Sequence, residues 1–328
     1  MSGETENPSG KLSAEALARS VFGALGAPRP EVLIGPAVGE DAAVIRWTAG
    51  KFLVFASDPV VGAAKGAGKL LVRVNVNDIA SKGGEPAYIA VTIISPPSMG
   101  EEFVSSIMRE IHEECLRNGI AIVGGHTEFN DMYDRPVLSA ALIGTAERLF
   151  SARDIRSGDG IYVTGHIGIE GMAILALDRP DLLRGILSED EIASVAGWMD
   201  ETSVLEESRL LRKCASFMHD PTEGGFRGGL SEICRLSGLS ADIDEDAVPI
   251  HEYTSRAARA LGFDPKSLVA SGGMLAVIGE DKTKLAEEIF DGSRVALTRV
   301  GRVRERQYSP ESGPPREELW ALLKRPRR

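Results

Sequence analysis

The sequence predicts a mixed α/β protein of two domains, and three observations carry that expectation. Strand-like apolar runs alternate with amphipathic segments at helical spacing. The 328 residues amount to about two ordinary domains. Around Arg153-Asp154-Ile155-Arg156-Ser157-Gly158-Asp159-Gly160 the pattern turns polar and then restarts, which divides the chain into domains 1–150 and 151–328.

Taken in order, Ser13 caps a first helix, Leu12 and Leu17 form its hydrophobic staple, and Gly26 stops it. Residues 31–34 read as a short strand feeding Gly35-Pro36-Ala37-Val38-Gly39-Glu40-Asp41-Ala42-Ala43, a glycine-bearing loop with two adjacent carboxylates. Residues 43–47 and 52–56 flank Thr48-Ala49-Gly50-Lys51, a hairpin signal, and the second run ends at Ser57-Asp58. In the next helix Leu70, Leu71, Val74 and Ile79 share a stripe, and Asn75 and Asp78 lie on one face. Gly83 supplies its C-cap and Glu85-Pro86 forbids continuation. A strand at 87–95 and a helix at 101–118 follow, the helix with Phe103, Val104, Ile107 and Ile111 inside. A strand at 120–123 then empties into Gly124-Gly125-His126-Thr127-Glu128, and a strand at 137–146 ends this half.

The second half restarts with a strand at 161–164, a Gly-rich turn and a helix at 169–177. A long helical region spans 189–214. Phe217-Met218 leads into His219-Asp220-Pro221-Thr222-Glu223-Gly224-Gly225, a turn opening a helix that reaches residue 236. A strand at 274–278, a helix at 282–290 and a strand at 295–303 complete the pattern.

Composition narrows the function. The apolar share of 43% is ample for real cores. A net charge of −11, from 37 basic and 48 acidic residues, speaks against a nucleic-acid surface. It leaves ATP open, because cations and backbone amides hold phosphate. Cys115, Cys214 and Cys234 are too few and too scattered for disulfides or a zinc clip, and are expected reduced and packed as small apolar residues. No basic start followed by an apolar segment is present, and the best apolar run, 87–94, falls far short of the roughly 20 residues of a spanning helix. A cytoplasmic protein with no membrane or nucleic-acid partner is expected.

Turns that combine glycine with aspartate suit nucleotide phosphates: glycine admits close backbone approach, and carboxylates need a bridging divalent cation such as Mg²⁺. Asp41, Asp58, Asp78 and Asp220 are the candidates, each with a plain alternative as a turn cap or a solvated strand end. No P-loop or dinucleotide fingerprint occurs. His126 and His219 raise a metal hydrolase as a second class, but neither an HExxH nor an HxH spacing accompanies them.

Five stretches occur in an order that resembles the aminoimidazole ribonucleotide (AIR) synthetase superfamily, the PurM-like proteins. They are Gly39-Glu40-Asp41-Ala42-Ala43, Ser57-Asp58, Val76-Asn77-Asp78-Ile79-Ala80, Gly124-Gly125-His126-Thr127 and His219-Asp220-Pro221-Thr222-Glu223-Gly224-Gly225. The resemblance implies an N-terminal ATP-binding domain forming a dimeric β-barrel with a second subunit, and a C-terminal α/β domain. It implies ATP and Mg²⁺, with Asp41, Asp58, Asp78 and Asp220 on the metal. Gly39, Asn77, Gly124, Gly125, His126 and Thr127 would contact nucleotide, and His219 and Asp220 would be catalytic. The implied chemistry is phosphorylation of a carbonyl- or amide-type oxygen on a small-molecule or protein-borne acceptor.

Within that superfamily the His-Asp-Pro-Thr-Glu-Gly-Gly stretch is most similar to the hydrogenase maturation (HypE) branch, which dehydrates a carboxamide on its own C-terminal cysteine. Here the last cysteine is Cys234, and Ala270-Ser271-Gly272-Gly273 places Gly272 where that branch usually has a carboxylate. The expectation is a HypE-like homodimer that does not itself make the cyanide ligand. Selenophosphate synthetase-like or thiamine-monophosphate kinase-like transfer is an alternative, and a catalytically silent nucleotide- or partner-binding paralogue is the rival from another class.

Overall fold

A computed structural model describes residues 10–11, 16, 19–34, 44–45, 52–61, 66–307 and 317–326. The chain falls into two compact units, one of residues 1–79 and 84–148, the other of 80–83 and 149–328. The Ser13 cap, Leu17 and the loop bearing Gly39 and Asp41 lie outside the described residues.

The first unit contains β1 (Gly10–Lys11), β2 (Val32–Ile34), β3 (Val44–Ile45), β4 (Phe52–Val61), α1 (Ala67–Ser81), β5 (Glu85–Ser95), α2 (Gly100–Arg117), β6 (Ala121–Phe129) and β7 (Val137–Ala146). Five strands form a sheet of order β1-β6-β5-β7-β4, in which β5 and β6 run parallel and the remaining pairs are antiparallel. Gly83, at φ +67°, returns its N–H to Ala80 and ends α1 as a left-handed cap. Leu138, Leu142, Ile89 and Ile93 are fully buried, whereas the alternate residues Ala90, Thr92, Ile94, Ser139, Ala141 and Ile143 are only half-buried. Leu53 and Phe55, which pair with Thr145 and Ile143, extend this open face at 55% and 63% exposure.

Among the described residues, the two strand-like runs at 43–47 and 52–56 do not pair with each other. Val44–Ile45 pairs with Val32–Ile34, while β4 pairs along its whole length with β7. Strand β4 also runs on through Ser57-Asp58 to Val61, because β7 offers an unbroken ladder. Likewise Gly124-Gly125-His126-Thr127 is strand, the continuation of β6 against β5.

The second unit comprises β8 (Gly160–Thr164), α3 (Ile169–Asp178), α4 (Pro180–Leu183), α5 (Glu189–Gly197), α6 (Leu205–Leu211), β9 (Ala215–His219), α7 (Gly225–Ser237), β10 (Leu239–Ile243), α8 (Glu252–Leu261), β11 (Leu275–Ile278), α9 (Thr283–Phe290), β12 (Leu297–Gln307) and α10 (Leu319–Leu323). Its sheet, of order β10-β12-β8-β11-β9, is antiparallel throughout. The region 189–214 is broken into α5, a short 3₁₀ turn at Trp198–Glu201 and α6. Strand β10 and helices α8 and α10 were not anticipated: their apolar signal is short or interrupted by charge. Trp198, Leu261 and Leu322 join the helical core of this unit, while Phe217, Phe226 and Val277 belong to its sheet-side core.

Candidate functional site

The polar cluster set into α1 has a structural explanation in part. Asn75 is fully buried. Its Oδ1 accepts the Asp58 N–H at 2.9 Å, and its Nδ2 donates to the carbonyls of Asp58 at 3.2 Å and Leu71 at 2.9 Å. A primary amide both donates and accepts, so it stands in for one residue of a neighbouring strand on the edge strand β4. This clamp lets a half-buried Asp58 sit inside a strand and ties it to the helix that carries Asp78. Asp78 is half-buried and Asn77 fully buried on α1.

Strand register sets the remaining distances in this unit. Asp58, Ala140, Val91 and Gly125 form one row across β4, β7, β5 and β6. Three inter-strand spacings of about 4.8 Å put Asp58 and Gly125 roughly 14 Å apart. The sheet therefore does not bring Ser57-Asp58 into direct contact with the Gly-Gly-His-Thr segment. Gly125, at φ +149°, is required by packing: a Cβ there would lie 1.8 Å from the Val91 carbonyl oxygen. Among the described residues nothing lies within 4 Å of where a Gly124 side chain would begin, which leaves its backbone approachable by them. His126 donates from Nε2 to Glu128 Oε2 at 3.1 Å, since a carboxylate only accepts, and Asn130 Nδ2 holds the other oxygen at 3.2 Å. Thr127 is buried on the opposite face of the strand.

In the second unit His219 ends β9 and Asp220 is buried just beyond it. The His219 Nε2–H donates to Glu232 Oε2 at 2.6 Å, and this bond holds the Glu232 carboxyl below its usual range. Glu232 lies on α7 two turns past Gly225, a helical spacing that could have flagged it as facing back toward the turn. Gly224 and Gly225 both have positive φ, +79° and +59°, and a Cβ on Gly225 would lie 2.4 Å from the Leu268 carbonyl oxygen. Glu317 Oε2 accepts the Gly224 N–H at 2.6 Å. No local signal pointed to Glu317.

Gly272 also has a packing reason. At φ +102° its Cβ would meet the Glu201 carbonyl oxygen at 2.8 Å, so no carboxylate-bearing side chain fits there. The neighbouring Ser271 N–H instead meets Glu170 Oε2 at 3.3 Å, and burial pushes that carboxyl above its usual range. All three cysteines are free and buried, with the thiols of Cys115 and Cys234 pushed up to about 12 and about 11 by burial. Among the described residues no group of three or more His, Cys, Asp or Glu is placed to hold a metal ion. A groove between α9 and β12, lined by Tyr162, Glu287, Phe290, Arg294 and Arg299, contains none of the motif residues. No helix among the described residues is long and apolar enough to cross a membrane.

An open mixed sheet in one unit and an antiparallel sheet layered with helices in the other define a two-unit α/β protein, with Asp58 and Gly124–Thr127 inside strands of the first and His219–Gly225 between a strand and a helix of the second. The chain belongs to the AIR synthase related proteins: their N-terminal domain family matches residues 39–146 and their C-terminal domain family residues 156–310. A protein of Methanocaldococcus jannaschii named for hydrogenase expression/formation is 29% identical over 247 residues, 73% of this chain and 72% of that protein. The carbamoyl dehydratase HypE of Cupriavidus necator is 27% identical over 288 residues, 80% of each chain. Among solved structures, the hydrogenase maturation protein HypE in complex with ATP superposes with a TM-score of 0.68 at 22% identity, covering 84% of this chain and 82% of that one.

Proposed function

We propose that the protein is an Mg²⁺- and ATP-dependent enzyme that phosphorylates a carbonyl- or amide-type oxygen on a separate acceptor. The domain assignment that goes with it is an ATP-binding and dimerisation domain over 1–150 and a second α/β domain over 151–328. One observation carries the reading: Asn75 locks the strand bearing Asp58 to the helix bearing Asp78, so two half-buried carboxylates are held on adjoining elements. Mg²⁺ at phosphoryl-transfer sites is held by one or two carboxylates, with phosphate and water completing the shell. Asp58 and Asp78 fit that use, and no preformed cage is needed; Asp41 and Asp220 are assigned to the metal by the family resemblance alone. Bound Mg²⁺ and ATP would supply the γ-phosphoryl group and neutralise its charge.

The protein's own part is to bind, orient and move a proton. Asn77 and the backbone of Gly39 and Gly124–Thr127 are assigned to the nucleotide. His219, with its Nε2–H given to Glu232, keeps Nδ1 as the atom that would take the N–H proton an amide acceptor loses when its oxygen takes the phosphoryl group and ADP leaves. The three buried cysteines argue for an acceptor other than a thiol-borne group on this chain, and so against formation of the cyanide ligand itself. The open, half-buried sheet face with Leu53 and Phe55 supports a homodimer in which a second copy covers it.

The test is calorimetry of ATP with and without Mg²⁺ on the parent and on Asp78→Ala. Mg²⁺-dependent binding that weakens by about a hundredfold or more in the variant is the expected result. Equal binding by both proteins would remove Asp78 from the site. No binding by the parent would leave the silent, partner-binding paralogue as the better reading.

A further inference from the structure

Residues 317–326 are built into the second unit at the turn that follows Asp220. Leu319 and Leu322 are buried in the helical core alongside Ile169, Leu261 and Leu268. Arg179, itself buried, closes the far end of α10: its guanidinium donates to the carbonyls of Leu323 at 2.9 Å, Arg325 at 2.8 Å and Pro326 at 3.2 Å. Asp181 holds the same guanidinium through two bonds of 2.9 and 2.8 Å.

At the near end Glu317 collects three main-chain donors. Its Oε2 accepts Gly224 N–H at 2.6 Å, and its Oε1 accepts Val269 N–H at 3.1 Å and Leu319 N–H at 2.8 Å. Trp320 Nε1 adds a bond to Glu223 Oε1 at 3.0 Å. Gly224 is the N-cap residue of α7 and has no side chain with which to cap it. A carboxylate from 93 residues away takes the Gly224 N–H itself, the bond that the third helical residue makes in a capping box, at the end of a helix where negative charge is favoured.

We infer that Glu317 is a positioning residue: its carboxylate fixes the Thr222–Gly225 turn, and through that turn the placement of His219 and Asp220. The inference rests on the proposed function for the meaning of His219 and Asp220, but not for the contact itself. Arg179 and the buried leucines make α10 a rigid post, so the carboxylate arrives at the turn from a fixed origin. Gly225, seated against Leu268, fixes the other side.

The experiment compares the full chain with Glu317→Gln and with Leu322→Ala. The Gln variant keeps the size of the side chain and one acceptor, but puts an NH₂ where the second acceptor was. Amide exchange of Gly224 and Gly225 is expected to quicken about tenfold in Glu317→Gln, with residues 160–164 of β8 unchanged. ATP hydrolysis by the same variant should lose about tenfold in kcat while KM for Mg-ATP stays within about twofold. Leu322→Ala, which opens a core cavity, should instead quicken exchange across the unit. Unchanged exchange at Gly224 in Glu317→Gln, or exchange rising in step with 160–164, overturns the inference. A parent that hydrolyses no ATP counts against the proposed function, and the exchange result then decides the positioning role alone.

Discussion

Asn75 in the first unit and Glu317 in the second both satisfy main-chain groups far away in sequence, yet one is an amide and the other a carboxylate. The difference follows from what each must meet. Asp58 on an edge strand presents an N–H and a C=O together, and only a group that both accepts and donates answers both. Around Glu317 the backbone presents donors alone, from the start of α7, the start of α10 and Val269, and a carboxylate with several lone pairs answers Gly224, Leu319 and Val269 at once. The local chemistry of the backbone thus dictates the side chain, and exchanging the two chemistries should break each clamp.

The largest effect is expected from Asn75→Asp. The new carboxylate keeps the bond to Asp58 N–H but turns an oxygen toward the carbonyls of Asp58 and Leu71. Denaturant unfolding near neutral pH should show a loss of about 3 kcal/mol, shrinking in acid where the carboxyl regains a donor proton. A loss below about 1 kcal/mol would mean that the amide's donor side does little for stability.

Glu207 sharpens the comparison by removing the cage of donors. Burial on α6, with a smaller contribution from Glu206, pushes its carboxyl from 4.5 to about 7. At Glu317 burial also raises the carboxyl, but the Leu319, Gly224 and Val269 N–H groups oppose the rise. For Glu207 the folded protein holds a proton that the unfolded chain releases between 4.5 and about 7, so its contribution to stability falls as pH rises through that window. Glu207→Gln should match the parent in acid and exceed it by roughly 1–3 kcal/mol at pH 8. Parallel pH profiles for the two proteins would contradict this.

Trp320→Phe should have the smallest effect. The indole is 52% exposed, and water can replace it at Glu223. A thermal-melt change equivalent to less than about 1 kcal/mol is expected, and a larger one would give the Trp320–Glu223 bond a share of the work assigned to Glu317.

Much of the secondary structure was legible because its signals are local. The helix over 67–81 shows its stripe and its Gly83 stop, and the strand at 137–146 shows a strict alternation that matches its burial. Misreadings arose where a residue with a loop-like propensity is held in a strand by something distant. Gly124-Gly125 looks like a break, yet Gly125 is the residue that lets β6 lie against Val91. Ser57-Asp58 looks like a strand end, yet Asn75 and β7 together satisfy the backbone there. Of the candidate site residues, Glu232 had a helical spacing that could have revealed it, while Glu317 had none.

By itself the sequence determined the alternation of strands and helices, the glycine stops and the ordered motifs that mark the family, since each depends on neighbours within a few turns of chain. Tertiary structure alone decided the order β1-β6-β5-β7-β4, the pairing of Asn75 with Asp58 and the reach of Glu317 to Gly224. Those contacts join segments whose meeting is set by packing and by the need to pair every buried polar group, and no local propensity encodes which distant partner will meet that need.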